Sequence, residues 1–249
     1  MAIPQEILQW VQTTYPNPQI DPEWLQACLT YLHTDLNIPF PPHGPLAPVL
    51  SALDDQILHS DLCESMLPGT GLPGNAGVLN DVRLWGRGGG VRGVLVQIVG
   101  LTEIGNSAFN LMGVMKAREE RGVVPLHPPN AEHNAGEVDE EDQGPLQRYP
   151  RSMLSFELSD GSTTIRAIEY RDIPQLELGG TPLGYKVRFP ILTSNKTKPF
   201  DQILLKNPLI RRGVAFLEPG CINLLGGLVQ DREDLQEALF RRSLRVRLG

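Results

Sequence analysis

A change in hydrophobic periodicity limits the fold of this chain more than any other feature. It falls at a segment rich in glycine and proline, residues 63–93, whose composition predicts a linker with turns. Before this linker, apolar residues recur three and four positions apart in three segments, and Asp21 followed by Pro22 is typical of a helix start. We therefore expect residues 1–62 to form a three-helix bundle.

After the linker, the pattern favours short β-strands. Strands are predicted over residues 94–101, 153–158, 163–170 and 185–189, and residues 213–227 supply a last pair. The second and third strands form a hairpin that turns at Asp160 and Gly161. About five short strands in this order fit a small Greek-key barrel of the OB type, and we expect it to occupy residues 94–249.

A closing helix is predicted to follow the barrel. Asp231 is expected to cap it, and it runs through Leu248. Its apolar residues are Leu235, Leu239, Leu244 and Leu248. The predicted fold class is therefore α+β, with an N-terminal three-helix bundle, a five-stranded OB-type β-barrel with a long inserted loop, and a closing C-terminal helix.

Two long segments interrupt the predicted strands. The first, residues 102–150, contains an amphipathic stretch and then an acidic run, residues 137–142. Long loops of this kind are usually functional or disordered, and we expect the acidic run to be disordered. The apolar side chains of the amphipathic stretch are expected to bind a partner, and they are Phe109, Leu111, Met112, Val114 and Met115. Residues 190–202 form the second insertion, a flexible decoration.

The sequence carries no pattern that indicates catalysis. No stretch matches a nucleophile elbow, a zinc-protease helix or a phosphate-binding Gly-Lys-Ser/Thr loop. Gly88, Gly90 and Gly93 fit Gly-x-Gly-x-x-Gly, but they precede a strand instead of opening a helix, so a nucleotide site is not indicated. The 3 cysteines and 5 histidines lack metal-ligand spacing. We expect neither enzymatic activity nor a metal or cofactor.

Charge and composition allow at most local contact with DNA. The net charge is −7 and aromatic residues make up 6% of the chain, so an extended basic or base-stacking surface is not expected. Arg241, Arg242 and Arg245 form a basic stripe that could contact phosphate, but a solvated helix face is the favoured interpretation. The sequence contains neither a signal peptide nor a membrane span, which predicts a soluble intracellular protein.

Several segments, taken jointly and in order, resemble the RecQ-mediated genome instability protein 1 family. The matching segments are Glu23–Cys28, Leu154–Gly161, Ile168–Pro174, Gly184–Lys186, Arg212–Pro219 and Asn223–Gly227. The resemblance implies a nuclear, non-catalytic scaffold that binds type IA topoisomerase III and a RecQ helicase. It also implies that the insert, residues 102–150, lies at the DNA gate of the topoisomerase and promotes decatenation and dissolution of double Holliday junctions.

The same resemblance implies that Lys186 faces the topoisomerase. Its place at the start of an alternating strand also predicts an outward side chain. An autonomous single-strand or junction DNA-binding protein is the alternative, and a hydrolase built on the barrel is a third hypothesis. Turnover without a partner is the property that only the third would show.

Overall fold

The computed structural model describes residues 3–41, 44–74, 93–121, 147–189 and 208–249. Within these ranges the N-terminal module contains four helices, namely α1 (Gln5–Thr14), α2 (Pro22–Thr34), α3 (Leu46–His59) and α4 (Leu62–Ser65). The predicted start of α2 is confirmed, because the Asp21 carboxylate accepts hydrogen bonds from the N–H groups of Glu23 and Trp24. The predicted three-helix bundle is wrong, because the chain adds α4 before it enters the sheet.

The second module is a seven-stranded sheet that curls into a half-barrel. Its strands are β1 (Leu95–Glu103), β2 (Leu154–Ser159), β3 (Thr164–Glu169), β4 (Lys186–Arg188), β5 (Leu209–Arg211), β6 (Val214–Leu217) and β7 (Asn223–Gly226). Their order across the sheet is β5-β6-β3-β2-β1-β4-β7. Among the described residues of this module, the α-helices are α5 (Ala108–Glu120) and α6 (Gln230–Leu248).

Some features of the predicted barrel are confirmed and others are wrong. β2 and β3 pair antiparallel through a turn in which Gly161 has a φ of 100°, as the Asp-Gly pair predicts. The last two predicted strands are present as β6 and β7, but they do not pair with each other. β6 instead pairs parallel with β3, and β7 pairs antiparallel with β4, so they lie on opposite sides of the sheet. The number of strands also exceeds the predicted five.

The two modules pack tightly against each other through backbone contacts. Gly161 lies against α4, and a Cβ atom on it would stand 2.2 Å from the carbonyl oxygen of Leu62. Gly227 has a φ of 82°, and a Cβ atom there would stand 2.1 Å from the carbonyl oxygen of Leu58. Leu95 of β1 belongs to the core of the helical module. The junction is therefore a close-packed interface in which side chains larger than hydrogen do not fit at two positions.

Part of the predicted linker belongs to this interface. Met66 and Leu72 are buried, and the Leu72 N–H donates to the Asp160 carboxylate in the hairpin turn. Residues 75–92, the acidic run 137–142 and the insertion at 190–202 lie outside the described residues.

Helix α6 differs from the prediction in its start and in its buried face. It begins after Val229, so Asp231 lies in the first turn and is not the cap. Its buried residues are Gln236, Phe240 and Leu244, whereas Leu235 and Leu239 are exposed. Of the predicted apolar residues, only Leu244 faces the core. Among the described residues, no helix has the length and apolar character needed to cross a bilayer.

Candidate partner-binding surface at the insert

A buried carboxylate holds the two ends of the insert between β1 and β2. Glu103, the last residue of β1, is fully buried. Its carboxylate accepts hydrogen bonds from the N–H groups of Gly105 and Asn106 at 2.6 and 3.1 Å, and from those of Ser152 and Met153 at 2.8 and 3.0 Å. Hydrogen bonds of this kind offset the cost of burying the charge. The chain therefore leaves β1 and returns towards β2 at one fixed place.

A second buried carboxylate fixes the return of the chain. Glu169, at the end of β3, accepts hydrogen bonds from the N–H groups of Leu154 and Ile173 at 3.2 and 2.6 Å. It also accepts one from Arg151 at 2.5 Å, and Arg151 contacts Asp172 as well. Because Leu154 begins β2, this network positions the start of the strand that follows the insert.

Helix α5 forms the first part of the insert, and most of its apolar side chains pack inside the protein. Leu111, Val114 and Met115 belong to the core of the half-barrel, and Met112 packs against it. Because α5 packs on α6 and supplies this core, the position of these side chains does not support direct contact with a partner, which stays a prediction. Phe109 points the other way and is 80% exposed. It stays a predicted partner contact.

The chain returns close to the end of α5. Arg118 is buried and donates from Nη1 to the carbonyl oxygen of Gln147 at 3.2 Å. Its guanidinium lies 5.1 Å from the centre of the Tyr149 ring, which in turn packs edge-on against Phe240 of α6 at 5.5 Å. Burial raises the pKa of Tyr149 to about 12. Residues 122–146 thus connect two points that the core holds near each other.

Lys186 does not face outward, so that prediction is wrong. Its side chain is fully buried, and Nζ donates at 2.8 Å to the carbonyl oxygens of Ser60 and Gly184. Burial lowers the pKa of Lys186 to about 7. β4 has a strand on each side, and the helical module covers Lys186 through Ser60. The lysine therefore joins the two modules, and this position does not support direct contact with a partner.

Asp61 completes this polar junction. Its carboxylate accepts hydrogen bonds from Arg232 of α6 at 2.5 Å, from Gln97 of β1 at 2.7 Å and from the N–H of Cys63 at 2.9 Å. Burial by itself would raise the pKa of Asp61, but these donors outweigh it and hold the pKa well below its usual range. The junction thus ties the helical module to both β1 and α6.

The three arginines predicted to contact DNA have different environments. Arg241 is paired with Glu119 and Glu237, each at 2.6 Å, so its charge is largely neutralised within the protein. Arg242 and Arg245 are exposed on α6 and form no ion pair with the residues that the structure describes. DNA contact by these two stays a prediction. In the same ranges, no cluster of three His, Cys, Asp or Glu side chains could hold a metal ion.

Glu103, Glu169 and Asp61 were not predicted from the sequence. Each is a single acidic residue at the edge of an apolar segment, and such a residue is buried only when several donors surround it. For Glu103, the sequence offered one signal, the turn residues Gly105 and Asn106 that follow it. For Asp61 and Glu169, donors such as Arg232, Gln97 and Leu154 come from distant parts of the chain, so the sequence did not mark these two.

The fold and this surface define an OB-fold protein with an N-terminal helical module, a class that is non-catalytic in general. Residues 89–238 match the family described as "RMI1, N-terminal OB-fold domain", and residues 11–65 match "RMI1, N-terminal helical domain". The chain belongs to the RMI1 family, which confirms the resemblance found in the sequence.

Two relatives named "RecQ-mediated genome instability protein 1" show how far the similarity extends. The protein from Mus musculus is 23% identical over 257 residues, which cover 97% of this chain and 34% of the relative. The protein from Danio rerio is 24% identical over 227 residues, which cover 91% of this chain and 36% of the relative. The chain therefore spans about a third of the length of each relative.

Proposed function

We propose that the protein is a non-catalytic scaffold subunit of nuclear genome-maintenance machinery. In this role it binds type IA topoisomerase III, together with a RecQ helicase, and promotes decatenation and dissolution of double Holliday junctions through its insert. Membership of the RMI1 family supports the role in genome stability. The observation that carries the mechanism is an insert whose two ends are fixed by Glu103 and whose exposed apolar residues include Phe109.

An insert whose ends are held in place is suited to act on a topoisomerase gate that opens and closes. A segment that contacts only the open state of a topoisomerase gate shifts the gate equilibrium by the difference in its affinity for the two states. If the base of the segment moved freely, ordering it on contact would cost part of that free energy. The hydrogen bonds to Glu103 and Glu169 already order the base of the insert when the scaffold folds, so contact with the partner does not have to order it.

Replacing residues 122–146 with a short Gly/Ser linker tests the mechanism. The two ends of this segment are held close by the contact between Arg118 and Gln147, and shortening a loop changes its closure entropy by about 1 kcal/mol. Helix α5 stays in the variant, because removing it would take Leu111 and Met115 from the core. We expect the variant to co-purify with topoisomerase III and to fail to accelerate decatenation of linked DNA circles.

A second shortened protein provides the matched control. Residues 191–207, which connect β4 to β5, are replaced with the same linker. This variant should accelerate decatenation as the unmodified protein does, and thermal melting should show that both variants fold. Equal acceleration by all three proteins would show that the insert is not the acting element. Failure of the unmodified protein to co-purify with topoisomerase III would refute the scaffold proposal itself.

Autonomous DNA binding is the second candidate function, favoured by the two exposed arginines of α6, Arg242 and Arg245. Phosphate contacts of this kind weaken steeply as salt increases. Fluorescence anisotropy with a single-stranded oligonucleotide and with a junction, each at 50 and 200 mM NaCl, measures this affinity. Loss of binding in the Arg242→Ala, Arg245→Ala double variant would support DNA binding, and equal affinity would exclude these residues as its source.

A further inference from the structure

The outer face of strands β3, β6 and β5 carries two adjacent rows of side chains, and we name it the outer sheet face. The strand pairings place Arg166, Val214 and Arg211 in the first row and Ile168, Phe216 and Leu209 in the second. Each row runs across the strands, and the two rows lie two residues apart, or about 7 Å. Buried residues alternate with these along β3 and β6, so both rows point away from the core.

The second row is apolar, and an exposed aromatic ring extends it. Tyr170 follows Ile168 by two residues, and its N–H donates to the carbonyl oxygen of Leu217 at 2.8 Å, which continues the pairing of β3 with β6. The Tyr170 ring packs edge-on against Phe216 at 6.1 Å and is 62% exposed. Most of its surface is therefore open, and a nucleobase can stack on a ring of this kind.

The first row supplies positive charge beside these rings. Arg166 and Arg211 belong to it, and Arg212 follows in the turn between β5 and β6. All three arginines are exposed, and none of them forms an ion pair with the residues that the structure describes. Glu157 of β2 lies opposite Arg166 and brings one negative charge to the row. Three positive charges thus face one negative charge, in a chain whose net charge is −7.

The backbone at Arg212 is strained. Arg212 and Gly213 form the two-residue turn between β5 and β6, with φ of 51° and 74°. Asn and Gly are favoured in a turn with two positive φ values, because other side chains crowd the backbone there. Within the described ranges, the guanidinium of Arg212 forms no ion pair that would offset this cost. A role in binding a ligand would explain an arginine at this position.

Positive side chains beside an exposed aromatic row match the chemistry of a single-stranded nucleic acid. Such a strand carries its phosphates along one edge and its bases along the other, so it can contact both rows at once. A duplex keeps its bases stacked on each other and offers the second row nothing. A run of carboxylates in a peptide likewise supplies charge but no ring to stack.

We propose that the outer sheet face binds a single-stranded nucleic acid, with a base stacked on Tyr170 and phosphates on Arg211 and Arg212. The proposal deepens the second candidate function and rests on it. It places the contact on the sheet instead of on the arginines of α6, Arg242 and Arg245.

Substitutions of Tyr170 in the full chain test the stacking contact, by fluorescence anisotropy with a labelled 20-nucleotide oligothymidylate at 50 mM NaCl. Tyr170→Leu keeps an apolar side chain and removes the ring, so the Kd should rise by at least about 5-fold. Tyr170→Phe keeps the ring and should bind as the unmodified protein does. Tyr31→Leu is the matched control, because Tyr31 is an exposed tyrosine on α2 of the helical module. Equal affinity of Tyr170→Leu and Tyr170→Phe would show that no base stacks on this ring, and the proposal would be wrong.

Arg212→Asn separates ligand binding from a structural role. Asparagine suits the positive φ of the turn, so the melting temperature should stay equal or rise. The Kd should rise about 3-fold, and the slope of log Kd against log [NaCl] should fall by about 0.7, as for the loss of one phosphate contact on a single strand. A lower melting temperature would mean that the arginine supports the fold, and this would overturn its assignment to the ligand.

The remaining outcomes separate this site from the function on which it rests. If the unmodified protein does not bind the oligonucleotide, the second candidate function fails and the site fails with it. If it binds and only the Arg242→Ala, Arg245→Ala double variant loses affinity, the contact lies on α6 and the outer sheet face is refuted. If a labelled polyglutamate peptide binds as tightly as the oligonucleotide, the face recognises negative charge alone and the proposal is wrong.

Discussion

Replacing Lys186 with methionine should flatten the rise of stability with pH between pH 7 and 9. The pKa of Lys186 is lowered by burial from 10.5 to about 7. In this range the unfolded chain keeps the lysine proton and the folded protein releases it, so the free energy of unfolding increases with pH. Methionine has a similar length and no proton, so it removes this contribution.

The size of the effect follows from the shift. One pH unit corresponds to about 1.4 kcal/mol when the two states differ by one proton. At pH 7 the folded protein has already released about half of this proton, so the gain from pH 7 to pH 9 is about 2 kcal/mol. Below pH 7 the lysine is charged in both states and the full penalty of burying it applies. Above pH 9 the contribution continues to rise towards the usual lysine pKa.

Urea unfolding of both proteins at pH 7 and pH 9 measures this difference. The slope with pH is the informative quantity, because methionine also leaves the carbonyl oxygens of Ser60 and Gly184 without a donor, at a cost of about 1–3 kcal/mol each. Other titrating groups, including Tyr15 and Tyr149, are shared and cancel in the comparison. Lys116→Met, at an exposed position on α5, is the control and should keep the slope of the unmodified protein. Parallel slopes for Lys186→Met and the unmodified protein would refute the reasoning.

Two further predictions concern packing. Leu111→Ala should lower the free energy of unfolding by about 2–5 kcal/mol because Leu111 is fully buried, whereas Phe109→Ala should change it by less than about 0.5 kcal/mol. Urea denaturation checks both, and equal effects would contradict the orientation of α5. Gly161→Ala should destabilise the protein more than Gly213→Ala, since both glycines have positive φ but only at Gly161 would the Cβ meet backbone. Thermal melting compares the two variants. An equal decrease in melting temperature would show that the junction between the modules accommodates the added methyl group at little cost.

Local sequence determined the elements whose signals lie within a few residues. Asp21 and Pro22 predicted the start of α2, and the Asp160-Gly161 pair predicted the hairpin turn, because a cap and a tight turn depend on adjacent backbone and side-chain geometry. The order of helical and strand segments followed from their periodicity. The family resemblance drew on segments distributed along the chain, and it is confirmed.

Tertiary structure decided which side chains are free to bind a partner. An alternating pattern predicted an outward Lys186, but alternation indicates an exposed face only when one side of a sheet meets water. β4 lies against the helical module, so its lysine is buried beside Ser60. The apolar residues of α5 likewise fitted a partner surface or a core equally well, and only contact with α6 assigned Leu111 to the core. Burial arises from contacts between residues far apart in the chain, and no local pattern of one chain encodes which distant segment will cover it.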